Sequence, residues 1–205
     1  MSCHTEKEKE TFSIQKDSLA EEKKATNSFE QIHHVKKLVK SGDLILRTGK
    51  DFTSELMRRL SLHDKTYSHC GIASWEKDTL FVYHALGGEW NPNQKLRRDP
   101  FELFCNPYEN RGFGIFRYSI NVFQEKEIIN LAHQYYQQGV MFDMKFDLAT
   151  DDRMYCSEFL YKVIKNATKD SLKLNTTTLN NIQFVAVDNL FFNRNCHEIK
   201  RVVFQ

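Results

Sequence analysis

Along this chain the spacing of apolar residues changes repeatedly, and the changes outline its elements. Residues 1–28 carry few apolar positions and are dominated by Glu, Lys, Thr and Ser, including Glu6-Lys7-Glu8-Lys9-Glu10 and Glu21-Glu22-Lys23-Lys24. A segment with so little to bury reads as a tether or a loosely docked helix. From Phe29 a helical spacing begins, through Ile32, Val35 and Val39, and Ser41-Gly42 stops it. Asp43 to Arg47 reads as a strand. Asp51 to Ser61 reads as a capped helix, with Phe52, Leu56 and Leu60 at helical spacing. Two strands follow, Tyr67 to Trp75 and Thr79 to Leu86, joined by the polar turn Glu76-Lys77-Asp78 and closed by Gly87-Gly88.

Asp99 to Leu103 is expected to be a short helix with Pro100 in its first turn. Phe113 to Tyr118 alternates as a strand after Gly112 and Gly114. Phe123 to Gln138 is the clearest helix, with Ile128, Leu131, Ala132 and Tyr135 on one face and Gly139 as its stop. A second strong helix runs from Cys156 to Asn166. The short apolar runs Phe184 to Val187, Leu190 to Phe192 and Val202 to Phe204 read as strands or edges. Strands in the middle of the chain, flanked by helices, predict an α+β fold with a mostly antiparallel sheet in one domain over 29–205.

Composition narrows the function without choosing it. The chain has 205 residues, of which 40% are apolar and 27% charged, and 16 Phe and 8 Tyr make it rich in aromatic side chains. That length and balance fit one soluble globular domain. A net charge of +2 is too even for a nucleic-acid partner. The short clusters Lys36, Lys37, Lys40, then Arg58, Arg59, then Arg97, Arg98 read as solvated faces. Five scattered cysteines (Cys3, Cys70, Cys105, Cys156, Cys196) form no C-x-x-C pair, which argues against a disulfide framework and a Cys-rich metal site. His63 and His69 lack the spacing of a zinc helix, so no metal and no cofactor are expected. No apolar run reaches the length of a membrane span. Met1-Ser2-Cys3 before a polar tract reads in two ways: a lipid-carrying start that would tether the chain to a membrane of the cell envelope, or an intact cytoplasmic start.

The chemistry centres on Tyr155-Cys156-Ser157-Glu158-Phe159-Leu160. Cys156 falls in the first turn of a helix, where free N–H groups and the positive helix end lower a thiol pKa. The same groups can hold an oxyanion. Phe159, Leu160, Val163 and Ile164 form the helix's buried stripe, so the thiol is expected to face the protein body. A plain core cysteine fits the pattern equally. His69, on the strand Tyr67 to Ala73, is the candidate base. Gly71 and Ala73 share its face and would let a helix approach. His84 on the partner strand is the candidate for orienting the imidazole, with Glu89 as the alternative.

Five segments then occur in one order: Gly42-Asp43-Leu44-Ile45, Ser68-His69-Cys70-Gly71-Ile72, Val82-Tyr83-His84-Ala85, Phe142-Asp143-Met144-Lys145-Phe146-Asp147 and Tyr155-Cys156-Ser157-Glu158-Phe159. The series resembles the YiiX/YebB-type circularly permuted papain-like amidases, related to NlpC-type cell-wall peptidases, over about Ser41 to Asn166. The resemblance implies a permuted papain-like fold, with an antiparallel sheet or small barrel packed against helices that include the nucleophile helix. It implies Cys156 as nucleophile, His69 as general base and acid, and His84 as orienting residue. Many relatives place a carboxylate where His84 stands, which would stabilise an imidazolium better. Tyr155, Ser157, Glu89 and Trp90 are candidates for oxyanion or substrate contacts, while Asp43 and Asp143 are expected to brace the structure.

The implied reaction is attack of a thiolate on an amide carbonyl, with a peptide or an N-acyl, lipid-like amide as substrate. Trp75, Trp90, Tyr108 and Phe104 would suit a partly apolar groove. Two other classes stay open: a module that holds a lipid or peptide in the same cleft without turnover, and a structural protein in which Cys156 and His69 never meet.

Overall fold

A computed structural model describes residues 23–204 of the chain. Cys3 and most of the charged N-terminal segment lie outside the described residues. Among the described residues the first helix, α1, covers 23–36, so helix extends across the expected boundary at residue 28. Its buried positions are Ser28, Ile32 and Val35, at helical spacing.

Six strands form one sheet in the order β4-β3-β2-β1-β5-β8, every neighbouring pair antiparallel. They are β1 (Leu44–Gly49), β2 (His69–Glu76), β3 (Thr79–His84), β4 (Arg97–Pro100), β5 (Asn110–Tyr118) and β8 (Cys196–Val203). β4 and β8 are the edges of this sheet, which is open rather than a closed barrel. A separate hairpin pairs β6 (Thr177–Leu179) with β7 (Ile182–Phe184).

Helices cover both faces. On one side lie α4 (Val122–Gln138), α5 (Cys156–Ala167) and α6 (Val187–Phe191). Their residues Ile128, Ala132, Phe159, Leu160, Val163, Ile164 and Leu190 pack with Leu44, Leu46, Cys70, Ile72 and Tyr83 of the sheet. On the other side, Ile32, Val35 and Val39 join α3 (Phe101–Phe104) over Ile45, Ala73, Leu80, Val82, Phe113 and Ile115. Successive strand residues point to opposite faces, so each strand feeds both layers, giving nearly continuous apolar runs in β1 and β3.

The local chemistry explains the element ends. Asn121 accepts the Gln124 N–H and Gln124 returns a bond to the Asn121 N–H at the start of α4. Gly139 ends that helix in the left-handed region, at φ 69°. Asp51 caps the short α2 (Phe52–Arg59) by accepting the Ser54 N–H.

Three expectations are corrected. The helix expected over Asp99 to Leu103 is instead strand β4 turning at Pro100 into α3, because Val82 and Phe81 of β3 pair with Asp99 and Pro100. Leu190 to Phe191 belong to α6 and not to a strand; residues 187–191 are all buried, and a helix satisfies their backbone groups internally. The Gly71 and Ala73 face does not receive the Cys156 helix. α5 packs on the Cys70 and Ile72 face. A Cβ on Gly71 would stand 2.3 Å from the Val82 side chain and 3.2 Å from the His84 Cβ, so the glycine makes room for β3.

Asp43 holds the entry to β1. Its carboxylate takes two bonds from Arg117, at 2.6 and 2.7 Å, and the Lys40 N–H at 2.7 Å, while the residue is 1% exposed. Removing one partner of a buried pair leaves the other charge uncompensated. Asp43→Ala is therefore expected to lower stability by about 3 kcal/mol in chemical denaturation, with Asp43→Asn costing less.

Candidate active site

Three adjacent strands carry a line of polar side chains across one face of the sheet. His69 opens β2, His84 closes β3, and Asp99 lies in β4, with Arg97 directly opposite His84. His69 Nε2 is 2.9 Å from His84 Nδ1, and His84 Nε2 is 3.0 Å from Asp99 Oδ2. The far end is held by Arg97, whose guanidinium reaches Asp99 at 2.8 Å. His84 is 1% exposed and His69 is 8% exposed. Phe104 packs on both rings, with centroids 5.6 Å from His69 and 5.0 Å from His84.

The direction of each bond in this line follows from its anionic end. Burial opposes ionisation of Asp99, but the bonds from His84 and Arg97 prevail and hold its carboxyl below the usual range. A carboxylate only accepts hydrogen bonds, so His84 Nε2 must carry a proton. Burial lowers the His84 pKa, against the pull of Asp99, so the ring is neutral and its Nδ1 is an acceptor. His69 Nε2 then donates to it. Burial, followed by the nearby Arg47, His84 and Arg97 groups, pushes the His69 pKa well below 6.5. A neutral His69 protonated on Nε2 keeps a lone pair on Nδ1, the state a general base requires.

Ser68 shows why the preceding residue matters. Its hydroxyl accepts the Gly49 N–H at 3.0 Å, beside the irregularity that ends the β1 ladder, and so anchors the start of β2. Arg47 is the Cα partner of His69 across the ladder. Its guanidinium lies 4.8 Å from the Phe104 ring and donates to the Phe104 carbonyl at 3.3 Å.

Cys156 is the first residue of α5 and is partly exposed. Its thiol hydrogen-bonds the Cys70 thiol, and the N–H groups of Ser157 and Cys70 also point at it. The Cys70 bond, aided by those N–H groups, lowers the Cys156 pKa against the opposing effect of burial. The structure thus brings His84 to His69 and Cys156 to Cys70, the next residue of the same strand. Among the described residues, the Cys156 thiol and the His69 ring form no hydrogen bond with each other.

The remaining candidates fall into two groups. Tyr155 and Ser157 brace Val185: its N–H reaches the Tyr155 hydroxyl, and its carbonyl accepts the Ser157 hydroxyl, both at 2.7 Å. Asp143 braces the loop before α5, accepting the Lys145 and Asp147 N–H groups. Asp43 holds β1, as described above. Glu89 and Trp90 are exposed at the tip of a turn closed by the Asn91 N–H on the Gly88 carbonyl. His84, not Glu89, stands against His69. Of the aromatic side chains read as a groove, Phe104 is buried at 1% exposure, while Trp75, Tyr108 and Trp90 are exposed.

Two groups in the site were not anticipated. Asp99 was hidden in a segment read as a helix start. Glu158 is fully buried in the first turn of α5, accepts the Tyr155 N–H at 3.2 Å, and lies 3.0 Å from Lys162. Lys162 also donates to Asp151 and to the Thr150 carbonyl, tying the helix to the loop before it.

A cysteine at a helix N-terminus beside an antiparallel sheet, with a strand histidine oriented by further polar groups, is an arrangement of papain-like folds. Residues 38–191 match the family described as permuted papain-like amidase enzyme, YaeF/YiiX, C92 family, and the chain belongs to it. It is 26% identical over 129 residues to the uncharacterized protein YiiX of Escherichia coli (strain K12), a stretch covering 62% of this chain and 58% of that protein's length. The chain thus spans less than two thirds of that relative. A crystal structure described as metalloprotein yiiX from Escherichia coli O157:H7 shares the fold, with a TM-score of 0.65, 20% identity, and coverage of 80% of this chain and 98% of the other.

Two measurements test the site. In imidazole nitrogen spectra near neutral pH, both His69 and His84 are expected as neutral rings protonated on Nε2, and Asp99→Ala should release His84 into a mixture of tautomers. Burial raises the Glu158 carboxyl from 4.5 to about 7. Between those values the folded state holds a proton that the unfolded chain releases, so stability falls as pH rises through this window. The stability of the wild type relative to Glu158→Gln is expected to decline over the same range.

Proposed function

We propose that this protein is a cysteine hydrolase that cleaves an amide bond, with Cys156 as nucleophile and His69 as its base. The observation that carries this reading is the line Asp99–His84–His69, which leaves the proton-accepting Nδ1 of His69 free on the residue adjacent to Cys70, where the Cys156 thiol rests. Membership of an amidase family supports it at the level of reaction class.

In this mechanism the Cys156 sulfur, which rests against Cys70 on the other face of β2, reaches His69 around the starting end of the strand when substrate binds, the stage at which catalytic hydrogen bonds tighten. His69 Nδ1 takes the thiol proton as sulfur attacks the carbonyl carbon. The oxyanion is met by the free N–H groups at the start of α5. The proton then passes from His69 to the leaving amine, and water, activated by the same ring, releases the acyl group. His84 and Asp99 hold His69 in one tautomer throughout. The substrate class proposed is a peptide or an N-acyl, lipid-like amide.

A second reading, a module that binds such a ligand without turnover, is favoured by one observation: the thiol is bonded to Cys70 rather than to His69. A related structure is described as a metalloprotein. In this chain no group of three or more His, Cys, Asp or Glu side chains suited to a metal ion occurs among the described residues. The donor set of the described residues does not fit a resident metal.

Alkylation of Cys156 by iodoacetamide is expected to proceed selectively below pH 8 and to lose that low-pH reactivity in His69→Ala. Against a panel of peptide and N-acyl amides, Cys156→Ala and His69→Ala should each lower turnover by about a thousandfold. Because burial and Arg47 hold the His69 pKa under 6.5, the base stays neutral as pH falls through that value. The acid limb of kcat/KM is therefore expected below pH 6.5, and Arg47→Met should move it upward. Uniform inertness of the panel, with tight retention of one ligand, would establish the binding module instead.

A further inference from the structure

We infer that Cys70 is a resolving thiol for Cys156, so that a hydroperoxide converts the pair into a reversible disulfide that takes the nucleophile out of use. The inference rests on two placements made by the fold. β2 turns Cys70 to the face opposite His69, and α5 begins on that face with Cys156. The two thiols hydrogen-bond each other, and the Cys70 N–H also points at the Cys156 sulfur.

The surroundings assign different roles to the two sulfurs. Cys156 is partly exposed at a helix N-terminus, where its thiolate is favoured and an oxidant can reach it. Cys70 is fully buried among Leu44, Leu46, Ile72 and Phe159, so it meets peroxide only through Cys156. Accessible, thiolate-rich cysteines next to a second thiol are the ones that oxidise reversibly. Cys105 is fully buried in the opposite layer, and burial pushes the Cys196 thiol up to about 12. Neither shares these properties.

The chemistry balances with a hydroperoxide as the oxidant. The Cys156 thiolate attacks one peroxide oxygen, an S–O bond forms, the O–O bond breaks, and hydroxide leaves to take up a proton. The Cys70 sulfur then attacks the Cys156 sulfur, the S–S bond forms, the S–O bond breaks, and water leaves with the Cys70 proton. Two thiols lose two electrons in total and the peroxide gains them. A thiol reductant reverses the bond by exchange. Without Cys70 the sulfenic acid on Cys156 has no internal partner and continues to sulfinic and sulfonic acids, which a thiol reductant does not restore.

The test treats the reduced full chain with hydrogen peroxide, blocks free thiols with N-ethylmaleimide, and maps non-reduced peptides by mass. The expected product has lost two hydrogens, joins the Cys70 and Cys156 peptides, and returns to free thiols with dithiothreitol. In Cys70→Ala and Cys70→Ser, each checked for a native thermal transition, irreversible oxygen addition at Cys156 should be about tenfold faster than in the wild type. The inference is overturned if wild-type Cys156 gains oxygens at the variants' rate while Cys70 remains free, or if Cys156 pairs with Cys105 or Cys196. The readout is a mass and not a turnover. A disulfide in a protein that hydrolyses nothing would sink the amidase reading alone, and hydrolysis without a disulfide would sink this inference alone.

Discussion

A hydrogen-bonded line can point either way unless one end has no proton to give, and Asp99 supplies that end. Its carboxylate, held ionised by His84 and Arg97, makes His84 donate through Nε2. That assignment leaves His84 Nδ1 as the acceptor for His69 Nε2. The lone pair of the whole line then appears at His69 Nδ1, two strands away from the charge that placed it. A lone histidine pair at this spacing would be ambiguous in tautomer; the carboxylate removes the ambiguity. It also answers the departure noted at position 84. The carboxylate is present, one residue further along the line and on a different strand.

The line depends on a sheet buried on both faces. Three side chains from β2, β3 and β4 meet because antiparallel neighbours in register place their same-face residues side by side. Gly71 keeps β3 close at the crossing, and Phe104 of α3, on the side the rings face, covers both of them. The alternation that turns His69 toward α3 also turns Cys70 toward α5. One strand therefore presents the base to one layer and a thiol to the other. The chemistry of Cys156 is divided between two adjacent residues of β2.

Much of this organisation was legible in the residues. The two long helices, the central strands and the caps at Asp51 and Gly139 follow from period, capping chemistry and glycine position, and these are local properties. Cys156 at a helix start was legible for the same reason. Asp99 was not, because Arg97-Arg98-Asp99-Pro100 is polar, short and ends in proline, which fits a helix entry as well as an edge strand. Only pairing with β3 decides between them. Small residues on the His69 face suggest room for α5, whereas Gly71 is small to admit Val82 and His84. Leu190 was read as strand because an apolar run of that length has no period of its own. Glu158 stands in the Cys156 motif, but its burial beside Lys162 depends on the fold of the loop before α5.

The influences on His69 all disfavour its charged form, and together they set what the site can do. Arg47, its cross-strand partner, disfavours an imidazolium, as does burial beneath Phe104. Asp99 acts on the ring only by fixing the hydrogen bond of His84, with its own charge partly met by Arg97. The resting ring is consequently neutral, and a proton taken from Cys156 would be held weakly and passed on readily. Such a base is paired with a thiol whose own pKa is also lowered at a helix N-terminus. The same lowering exposes the sulfur to oxidants whenever the site stands empty. A fold that poises a thiolate in this way gains from a second sulfur within reach, and β2 carries one immediately beside the base.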